Sequence, residues 1–283
     1  PGTPMGRLLR CFWQPFALSS ELPRADSDPI RVRLLGEDLV AFRDSNGGVG
    51  LLAAHCPHRG ASLFFGRNEE CGLRCVYHGW KFDVNGQCVD MPNEPAESNF
   101  KHKVTATAYP CLERGGVLWA YMGEQLGAPP FPELEWTLVP DDQRLVTKRI
   151  QQCNFLQNVE GEVDSSHVSF LHSKAVAGAY EPGSIRGLLS TYMASDRAPR
   201  FFVNATPYGL AIGARRAAEA DSYYWRITQF LMPAYTMIPS DVGSPISFTA
   251  ATPIDDETML GFTATWHPDR RLTPEEVANI ESW

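Results

Sequence analysis

Two short motifs, each holding one cysteine and one histidine, constrain this chain more than any other feature of its sequence. The first is Cys56-Pro57-His58 and the second is Cys75-Val76-Tyr77-His78, with sixteen residues between His58 and Cys75. Each motif lies in a loop between candidate strands. Four ligands of this kind on two neighbouring loops can close one metal site, so the fold must bring the two loops together.

The spacing alone leaves two kinds of site open. In one, all four side chains surround a single zinc ion in a structural site. In the other, the cysteines hold one iron of a [2Fe–2S] cluster and the histidines hold the second iron, which is the Rieske arrangement. Zinc sites more often present a close pair of cysteines and then a close pair of histidines, so the mixed pairs favour the cluster. We interpret the nearby Cys71 as a buried or spectator thiol and His55 as a loop residue.

Composition and charge argue against several classes of partner. The net charge of −8, without a lysine- or arginine-rich run, argues against a nucleic-acid surface. No apolar stretch approaches the roughly 20 residues that a membrane helix needs, and the start of the chain shows no signal-peptide pattern. The seven cysteines are scattered and odd in number, which favours metal ligation or burial over a disulfide framework. We therefore expect a cytoplasmic protein with no nucleic-acid or membrane partner.

The chain divides into two regions of different pattern. Between residues 30 and 122, short alternating strands are joined by glycine turns at Asn46-Gly47-Gly48, Asn85-Gly86 and Gly115-Gly116, which predicts a small all-β module. A proline-rich stretch at 127–132 follows. Beyond it lie a helical stretch within 154–172 and strand candidates at 201–204, 210–213, 223–231, 246–251 and 259–265. We predict an α+β protein with an N-terminal segment (1–28) that packs on the second domain, an all-β domain (29–124) and an antiparallel sheet domain with helices (125–283).

The end of the chain predicts the start of a further helix. In Thr273-Pro274-Glu275-Glu276, the threonine is a candidate N-cap, the proline suits the first turn and Glu276 suits a capping box. Seven residues follow before the sequence stops at Trp283. We therefore expect the C-terminus to be incomplete.

A second set of candidate ligands lies in Asp164-Ser165-Ser166-His167-Val168-Ser169-Phe170-Leu171-His172. The plain alternative is an amphipathic helix whose histidines pack or meet solvent. On a regular helix, positions five apart point about 140° away from each other. His167 and His172 can therefore share one ion only if the helix ends, bulges or bends between them, and such irregularities cluster at functional sites. Asp164 lies on nearly the same face as His167 and can orient its ring or receive an electron path.

The two sets of motifs, in this order, resemble the large (α) subunit of the Rieske non-haem iron oxygenases. The flanks of the first set, Cys56-Pro57-His58-Arg59-Gly60-Ala61 and Cys75-Val76-Tyr77-His78-Gly79-Trp80-Lys81-Phe82, are similar to the cluster loops of that family. The spacing Asp164-x-x-His167-x4-His172, with Gly161 shortly before it, is most similar to the phthalate 4,5-dioxygenase branch. The resemblance covers nearly the whole chain.

This resemblance implies both cofactors and their ligands. The catalytic domain would be an antiparallel sheet with helices of the helix-grip or START-like kind, and the subunits would form an α3 ring. Asp164 would hydrogen-bond to a histidine of a neighbouring subunit and so link the cluster to a mononuclear Fe(II). The implied ligands are Cys56, His58, Cys75 and His78 for the [2Fe–2S] cluster, and His167 and His172 for the iron.

One element of the family pattern is missing. A 2-His-1-carboxylate site needs a third ligand, normally an aspartate far downstream on a later helix. Twelve carboxylates follow His172, and none stands in a recognisable context. Asp255, Asp256 and Glu257 lie in a predicted turn between strands, where solvated acids are common. We expect the third ligand to lie beyond Trp283.

Electrons and substrate must both come from outside the chain. The sequence has no Rossmann glycine fingerprint, no flavin pattern and no plant-type four-cysteine spacing, so we expect a separate NAD(P)H-dependent reductase. An aromatic carboxylate would suit a pocket with guanidinium groups. The candidate substrate contacts are Arg215, Arg226 and Ser173, although arginines on a strand usually face solvent and Arg215 and Arg216 cannot both point inward.

The sequence therefore predicts a terminal oxygenase that uses O2 to hydroxylate an aromatic carboxylate, by cis-dihydroxylation of a phthalate or substituted benzoate. Oxidative O-demethylation of a methoxybenzoate is the alternative with the same iron chemistry. A Rieske electron carrier without catalysis and a zinc-stabilised binding protein are alternatives from other classes. The sequence leaves open the exact substrate, its regiochemistry and the identity of the reductase.

Overall fold

The first half of the chain is built from short strands. The computed structural model describes residues 2–123, 127–173, 185–241 and 243–281. A short helix, α1 (Pro4–Arg10), comes first, with Thr3 as its N-cap. The strands that follow are β1 (Gln14–Leu18), β2 (Ile30–Leu34), β3 (Glu37–Arg43), β4 (Val49–Ala53), β5 (Arg67–Glu69), β6 (Gly72–Arg74), β7 (Lys81–Phe82), β8 (Cys88–Asp90), β9 (Cys111–Arg114) and β10 (Val117–Ala120).

The second half has longer strands and most of the helical residues. Its elements are β11 (Arg144–Gln151), α2 (Phe155–Val163), α3 (Ile185–Ser195), β12 (Arg200–Thr206), β13 (Gly209–Ala217), β14 (Tyr223–Leu231), β15 (Tyr235–Met237), β16 (Ile246–Pro253), β17 (Met259–Trp266) and α4 (Pro274–Glu281). The predicted capping box of α4 is confirmed, because Thr273 Oγ1 accepts the Glu276 N–H and the Glu276 carboxylate accepts the Thr273 N–H.

Three small antiparallel sheets form the N-terminal module. Their strand orders are β2-β3-β4, β5-β6-β7-β8 and β1-β10-β9. The glycine turns predicted from the sequence are confirmed, with Gly47, Gly86 and Gly115 all at positive φ. A buried apolar cluster that includes Phe42 and Phe82 joins the first two sheets, and Cys56 and Cys75 both belong to this cluster. The candidate cluster ligands therefore lie at the edge of a rigid core.

A seven-stranded antiparallel sheet dominates the rest of the described chain. Its order is β11-β17-β16-β15-β14-β13-β12. Helix α2 packs on this sheet through Phe155 and Val159, which share a buried cluster with Ala234, Ala251 and Met259. The predicted α+β class is confirmed.

The two parts of the molecule meet at a backbone junction. The turn between β2 and β3 donates the N–H of Leu35 to Pro253 O (2.9 Å) and that of Gly36 to Ile254 O (2.8 Å), at the end of β16. The N-terminal segment also contacts the large sheet, since β1 lies against β11 and β16 and Lys148 pairs with Glu21 at 2.5 Å. The residue numbers given above for the domain boundaries stay a prediction. Within the described ranges, no helix is both long and apolar enough to cross a membrane.

Candidate metal centres

Two loops of the N-terminal module have the same backbone closure. The N–H of Cys56 donates to the carbonyl five residues on (2.8 Å), and the N–H of Gly60 donates back to Cys56 O (2.9 Å). In the second loop, Cys75 and Gly79 make the equivalent bonds at 2.8 and 3.0 Å. Both glycines have positive φ, +70° and +79°, which glycine adopts without steric cost. The fold thus repeats one loop geometry, and each copy starts with a cysteine.

The two thiols lie together in the interior. Cys56 and Cys75 are 3% and 2% exposed. Burial, together with the neighbouring Cys75 thiol, raises the pKa of Cys56 to about 11. Without a metal the Cys56 thiol would stay protonated, whereas a metal ion would stabilise both sulfurs as thiolates.

The two histidines of these loops lie side by side closer to the surface. The ring centroids of His58 and His78 are 4.6 Å apart. The indole of Trp80 stacks on His58 at 4.3 Å, with 7° between the planes, and its Nε1 donates to Asn93 Oδ1 (2.7 Å). Desolvation and the neighbouring His78 lower the pKa of His58, which favours the neutral ring that binds metals.

This donor set suits a two-iron cluster. The sulfurs form one buried pair and the imidazoles form a second pair nearer solvent, so each pair can hold one iron. The structure brings the four predicted ligands together as two pairs, and among the described residues no three of them form a group around a single ion, so their role as ligands stays a prediction. Cys71 and His55 lie outside this arrangement: the Cys71 sulfur accepts a hydrogen bond from Asn46 (3.2 Å), and His55 is exposed.

A buried arginine next to the second loop was not predicted from the sequence. Arg74 immediately precedes Cys75 and is 8% exposed. Its guanidinium donates to Gly79 O (2.8 Å) and to the carboxylates of Glu69 (2.6 Å) and Asp90 (2.7 Å). It therefore fixes the loop with its charge neutralised. In the sequence, only the position of Arg74 next to the predicted ligand Cys75 could have indicated this role.

The helix is interrupted, but it ends before the second set of ligands and not between His167 and His172, where the sequence analysis expected the break. Helix α2 ends at Val163, and Asp164 leaves the helical region (φ −79°, ψ 113°). Its carboxylate accepts the N–H groups of Ser166 (2.7 Å) and His167 (3.0 Å), which replace helical hydrogen bonds, and lies 3.2 Å from Nδ1 of His167. Burial would raise the pKa of Asp164, but these hydrogen bonds hold it below its ordinary value, so the carboxylate is ionised at neutral pH.

The turn makes the two later histidine rings converge. His167 begins a 3-10 turn (His167–Ser169), and the ring centroids of His167 and His172 lie 5.2 Å apart. Because Asp164 engages Nδ1 of His167, Nε2 is the nitrogen left for a metal. Within the described ranges, no third Cys, His, Asp or Glu joins these rings in a metal-binding group. Asp255 lies in the turn between β16 and β17, where its carboxylate accepts backbone N–H groups.

Strands β13 and β14 place three arginines in different environments. Arg216 is fully buried and donates to Ser165, next to Asp164. Arg226 shares the face of Arg216, because it pairs with the residue two positions before it in β13. Arg215 lies on the opposite face, with its guanidinium 4.2 Å from the Tyr223 ring centroid. The prediction that the adjacent arginines cannot both point inward is confirmed.

The predicted substrate contacts are therefore spread out. Ser173 follows His172 and is exposed, while Arg215 and Arg226 lie on opposite faces of the sheet. Their contact with substrate stays a prediction. The sequence analysis considered Arg216 only as an arginine of the pocket strands and did not predict its contact with Ser165, because nothing local shows that a strand arginine reaches a turn 51 residues earlier.

Comparison with known proteins agrees with this geometry. A Rieske [2Fe-2S] domain model matches residues 12–110, and a model described as LigXa C-terminal domain like matches residues 120–283. The chain is 43% identical over 266 residues to the 3-chlorobenzoate-3,4-dioxygenase oxygenase subunit of Comamonas testosteroni, covering 94% of this chain and 60% of that protein. It is 42% identical over 289 residues to the phthalate 4,5-dioxygenase oxygenase subunit of Pseudomonas putida, covering 99% and 63%.

A solved structure agrees at the level of the fold. Dicamba monooxygenase bound to dicamba superposes with a TM-score of 0.74 at 20% identity, covering 97% of this chain and 82% of that one. The chain spans 60% and 63% of the length of the two relatives. The matched domains, the identities and the paired cysteines and histidines lead to one conclusion: this chain belongs to the oxygenase subunits of the Rieske non-haem iron oxygenases, with a Rieske [2Fe-2S] domain followed by a LigXa-type C-terminal domain.

Proposed function

We propose that the full-length protein is the terminal oxygenase of an aromatic ring-hydroxylating system, taking electrons from an NAD(P)H-dependent reductase to hydroxylate an aromatic carboxylate. The observation that carries this proposal is the convergence of His167 and His172 beside the Asp164 carboxylate. An electron carrier would need only the first pair of loops. We place the reaction in the cytoplasm, where thiols stay reduced, and all seven cysteines are free.

The cluster site and the mononuclear iron site would have different roles. When bound, a [2Fe–2S] cluster supplies single electrons and a ferrous ion supplies open positions for O2. The buried thiol pair and the outer imidazole pair would each hold one iron of the cluster. The turn after α2 would hold the ferrous ion through His167 and His172, while Asp164 keeps the His167 ring in one orientation.

Asp164 also supports a path between subunits. Its side chain remains 41% exposed although it makes three contacts within its own turn. His78 lies beside Tyr77, which is 62% exposed. We assign to Asp164 a hydrogen bond with His78 of a neighbouring subunit in an α3 ring, which would bring the cluster of one subunit to the iron of the next.

The charge of the inner face of β13 and β14 supports an anionic substrate. Arg226 lies on this face, and within the described residues it donates no hydrogen bond to a carboxylate. The Nε of Arg226 is buried without a hydrogen-bond partner there. Burial lowers the pKa of Arg226, and the nearby Asp241 opposes this only in part, so a further negative charge beside Arg226 would be stabilising. A substrate carboxylate would supply that charge, and Arg226 is the predicted contact that this reasoning favours.

Two alternatives differ in what they require. Oxidative O-demethylation of a methoxybenzoate uses the same ligands and differs only in how the substrate lies. An electron carrier without catalysis would not need His167 and His172 to converge. Identifying the products distinguishes hydroxylation from O-demethylation. Removing the second iron site distinguishes an oxygenase, which then loses activity, from an electron carrier, which does not need that site.

The test uses full-length protein with measured iron and acid-labile sulfide. It is supplied with isotopically labelled O2, NADH and a matched reductase, and with benzoates, phthalates and methoxybenzoates in turn. We expect a coloured protein and one class of substrate whose product carries both labelled oxygens; release of formaldehyde would indicate demethylation. His167→Ala should keep the visible spectrum of the cluster and form no product, whereas His102→Ala, at an exposed histidine, should behave as the parent. Product formation by His167→Ala, or a colourless zinc protein, would overturn the proposal.

A further inference from the structure

Arg216 is a fully buried cation close to the candidate iron site. Its exposed fraction is 0%. It lies on β13 opposite Tyr224 of β14, one pair before the end of the pairing between these strands. Taking a guanidinium out of water is costly unless hydrogen bonds satisfy its donors. An arginine at such a position therefore needs an explanation from its contacts.

Those contacts converge on the turn that carries Asp164. One terminal nitrogen of Arg216 donates to Ser165 Oγ (3.1 Å), the other donates to Ser165 O (2.7 Å), and Nε donates to Asp196 O (3.1 Å). Ser165 is only 4% exposed and lies between Asp164 and His167 in sequence. Two of the three hydrogen bonds thus go to Ser165, one to its side chain and one to its backbone.

The other hydrogen bonds of the turn lie beyond Ser165, including the bond from Ser169 Oγ to Met193 O (2.8 Å). Helix α2 has already ended at Val163, so no helical ladder continues through Ser165. The Asp164 carboxylate fixes the two residues after Ser165, and Arg216 fixes Ser165 itself. Arg216 therefore ties Ser165, the residue next to Asp164, to strand β13.

We propose that Arg216 is a positioning residue: through Ser165 it holds Asp164 in the orientation that electron transfer to the iron site requires. This inference rests on the proposed oxygenase function. It assigns Arg216 an effect on turnover and none on the binding of substrate. Outer partners of metal ligands typically change activity by about 10–100-fold when they are replaced.

The test compares three variants of the full-length holoenzyme. Arg216→Lys keeps the charge, but its single ammonium cannot reproduce the fork that binds both Ser165 atoms. Ser165→Ala removes only the hydroxyl contact, and the bond to the carbonyl remains. Arg200→Lys changes an exposed arginine of the same sheet and is the matched control. Steady-state rates are divided by bound iron, and the reoxidation of the reduced cluster is followed after O2 and substrate are added.

For Arg216→Lys we expect kcat per iron and the reoxidation rate to fall together by about 10–100-fold, with KM within about twofold of the parent. For Ser165→Ala we expect a smaller fall of about fivefold, and for Arg200→Lys no change.

Equal rates in Arg216→Lys and the parent would overturn the inference, as would a raised KM with unchanged kcat or a loss confined to iron content. If Arg216→Lys does not fold, Ser165→Ala decides, and an unchanged kcat there refutes the role. If the parent shows no substrate-dependent reoxidation, the oxygenase proposal itself fails.

Discussion

At the scale of single residues, short polar side chains replace the helical hydrogen bonds around the second site. The carboxylate of Asp164 accepts two backbone N–H groups and also lies beside the His167 ring. Backbone shape and ring orientation therefore depend on one side chain. A substitution of Asp164 should therefore affect the second site and leave the cluster loops, which lie elsewhere in the chain, undisturbed.

Replacing Asp164 with asparagine removes the charge and keeps one acceptor oxygen for the turn. We expect the visible spectrum of the cluster to stay the same and turnover to fall by about 10–100-fold, because the ring and the electron path lose their carboxylate. Steady-state oxidation of the preferred substrate measures this. Glu257→Gln, at an exposed acid in the turn between β16 and β17, is the control. Undiminished turnover of Asp164→Asn would remove Asp164 from the mechanism.

Glu276 gives a prediction about pH and stability. Its hydrogen bonds with Arg270 lower the pKa of Glu276 from 4.5 to about 2. Since the pKa is lower in the folded state, the stabilisation is present above about pH 4.5 and is lost as the pH falls towards 2. Glu276→Gln should therefore lower the thermal midpoint at neutral pH, and its difference from the parent should shrink through this acid range. Glu275→Gln is the control, and a difference that does not change with pH would contradict the assignment.

At the scale of elements, the two cysteine loops are near copies that differ in their surroundings. Both close with the same pair of hydrogen bonds and both place a glycine at positive φ. A Cβ at Gly60 would meet nothing within 4 Å, whereas one at Gly79 would lie 2.6 Å from Pro92 Cγ. Both loops therefore need a glycine because of its positive φ. Only the second loop also needs a glycine because a side chain there would collide with Pro92.

Gly60→Ala and Gly79→Ala form a matched pair that separates these requirements. Gly60→Ala should cost about 1–2 kcal/mol through backbone strain alone. Gly79→Ala should cost more, because the proline ring must also move, and it should lower the amount of bound cluster. Thermal loss of cluster absorbance measures both. Equal effects of the two substitutions would show that contact with Pro92 does not matter.

The sequence predicted some elements better than others for a physical reason. Strands β13, β14, β16 and β17 were expected because their apolar or alternating runs are long, and the glycine turns because they need positive φ. Strand β11 was missed: it lies at the edge of the sheet, and the burial of its mixed charged and apolar residues is intermediate almost throughout. An edge strand has little apolar pattern to reveal it.

At the scale of the whole molecule, one buried cluster joins the N-terminal module to the catalytic sheet. Leu34 and Leu39 of β2 and β3 share this cluster with Phe155 of α2 and with Met259 of β17. The same region contains the backbone bonds from Leu35 and Gly36 to the end of β16. The position of the cluster loops relative to the sheet is thus set by core packing as well as by hydrogen bonds.

Met259→Ala tests whether the two parts unfold together. Met259 is 0% exposed, and its truncation should cost about 2–5 kcal/mol. Because its cavity would open in the shared cluster, the loss of cluster absorbance and the loss of far-UV circular dichroism should both shift to lower temperature. Met5→Ala, at a residue that is 43% exposed, should change stability by less than about 0.5 kcal/mol. A shift in only one signal would show that the modules unfold independently.

The sequence by itself determined the ligand types, their spacing and the need for an irregular backbone if His167 and His172 share one ion, because these depend on local chemistry and on the fixed geometry of a helix. Only the tertiary structure decided that the cysteine thiols pair inside and the histidine rings outside, and that Arg216 rather than Arg215 faces the site. A strand alternates its side chains whichever face is buried. Which face meets the core, and which distant turn it reaches, follows only when the whole sheet is packed.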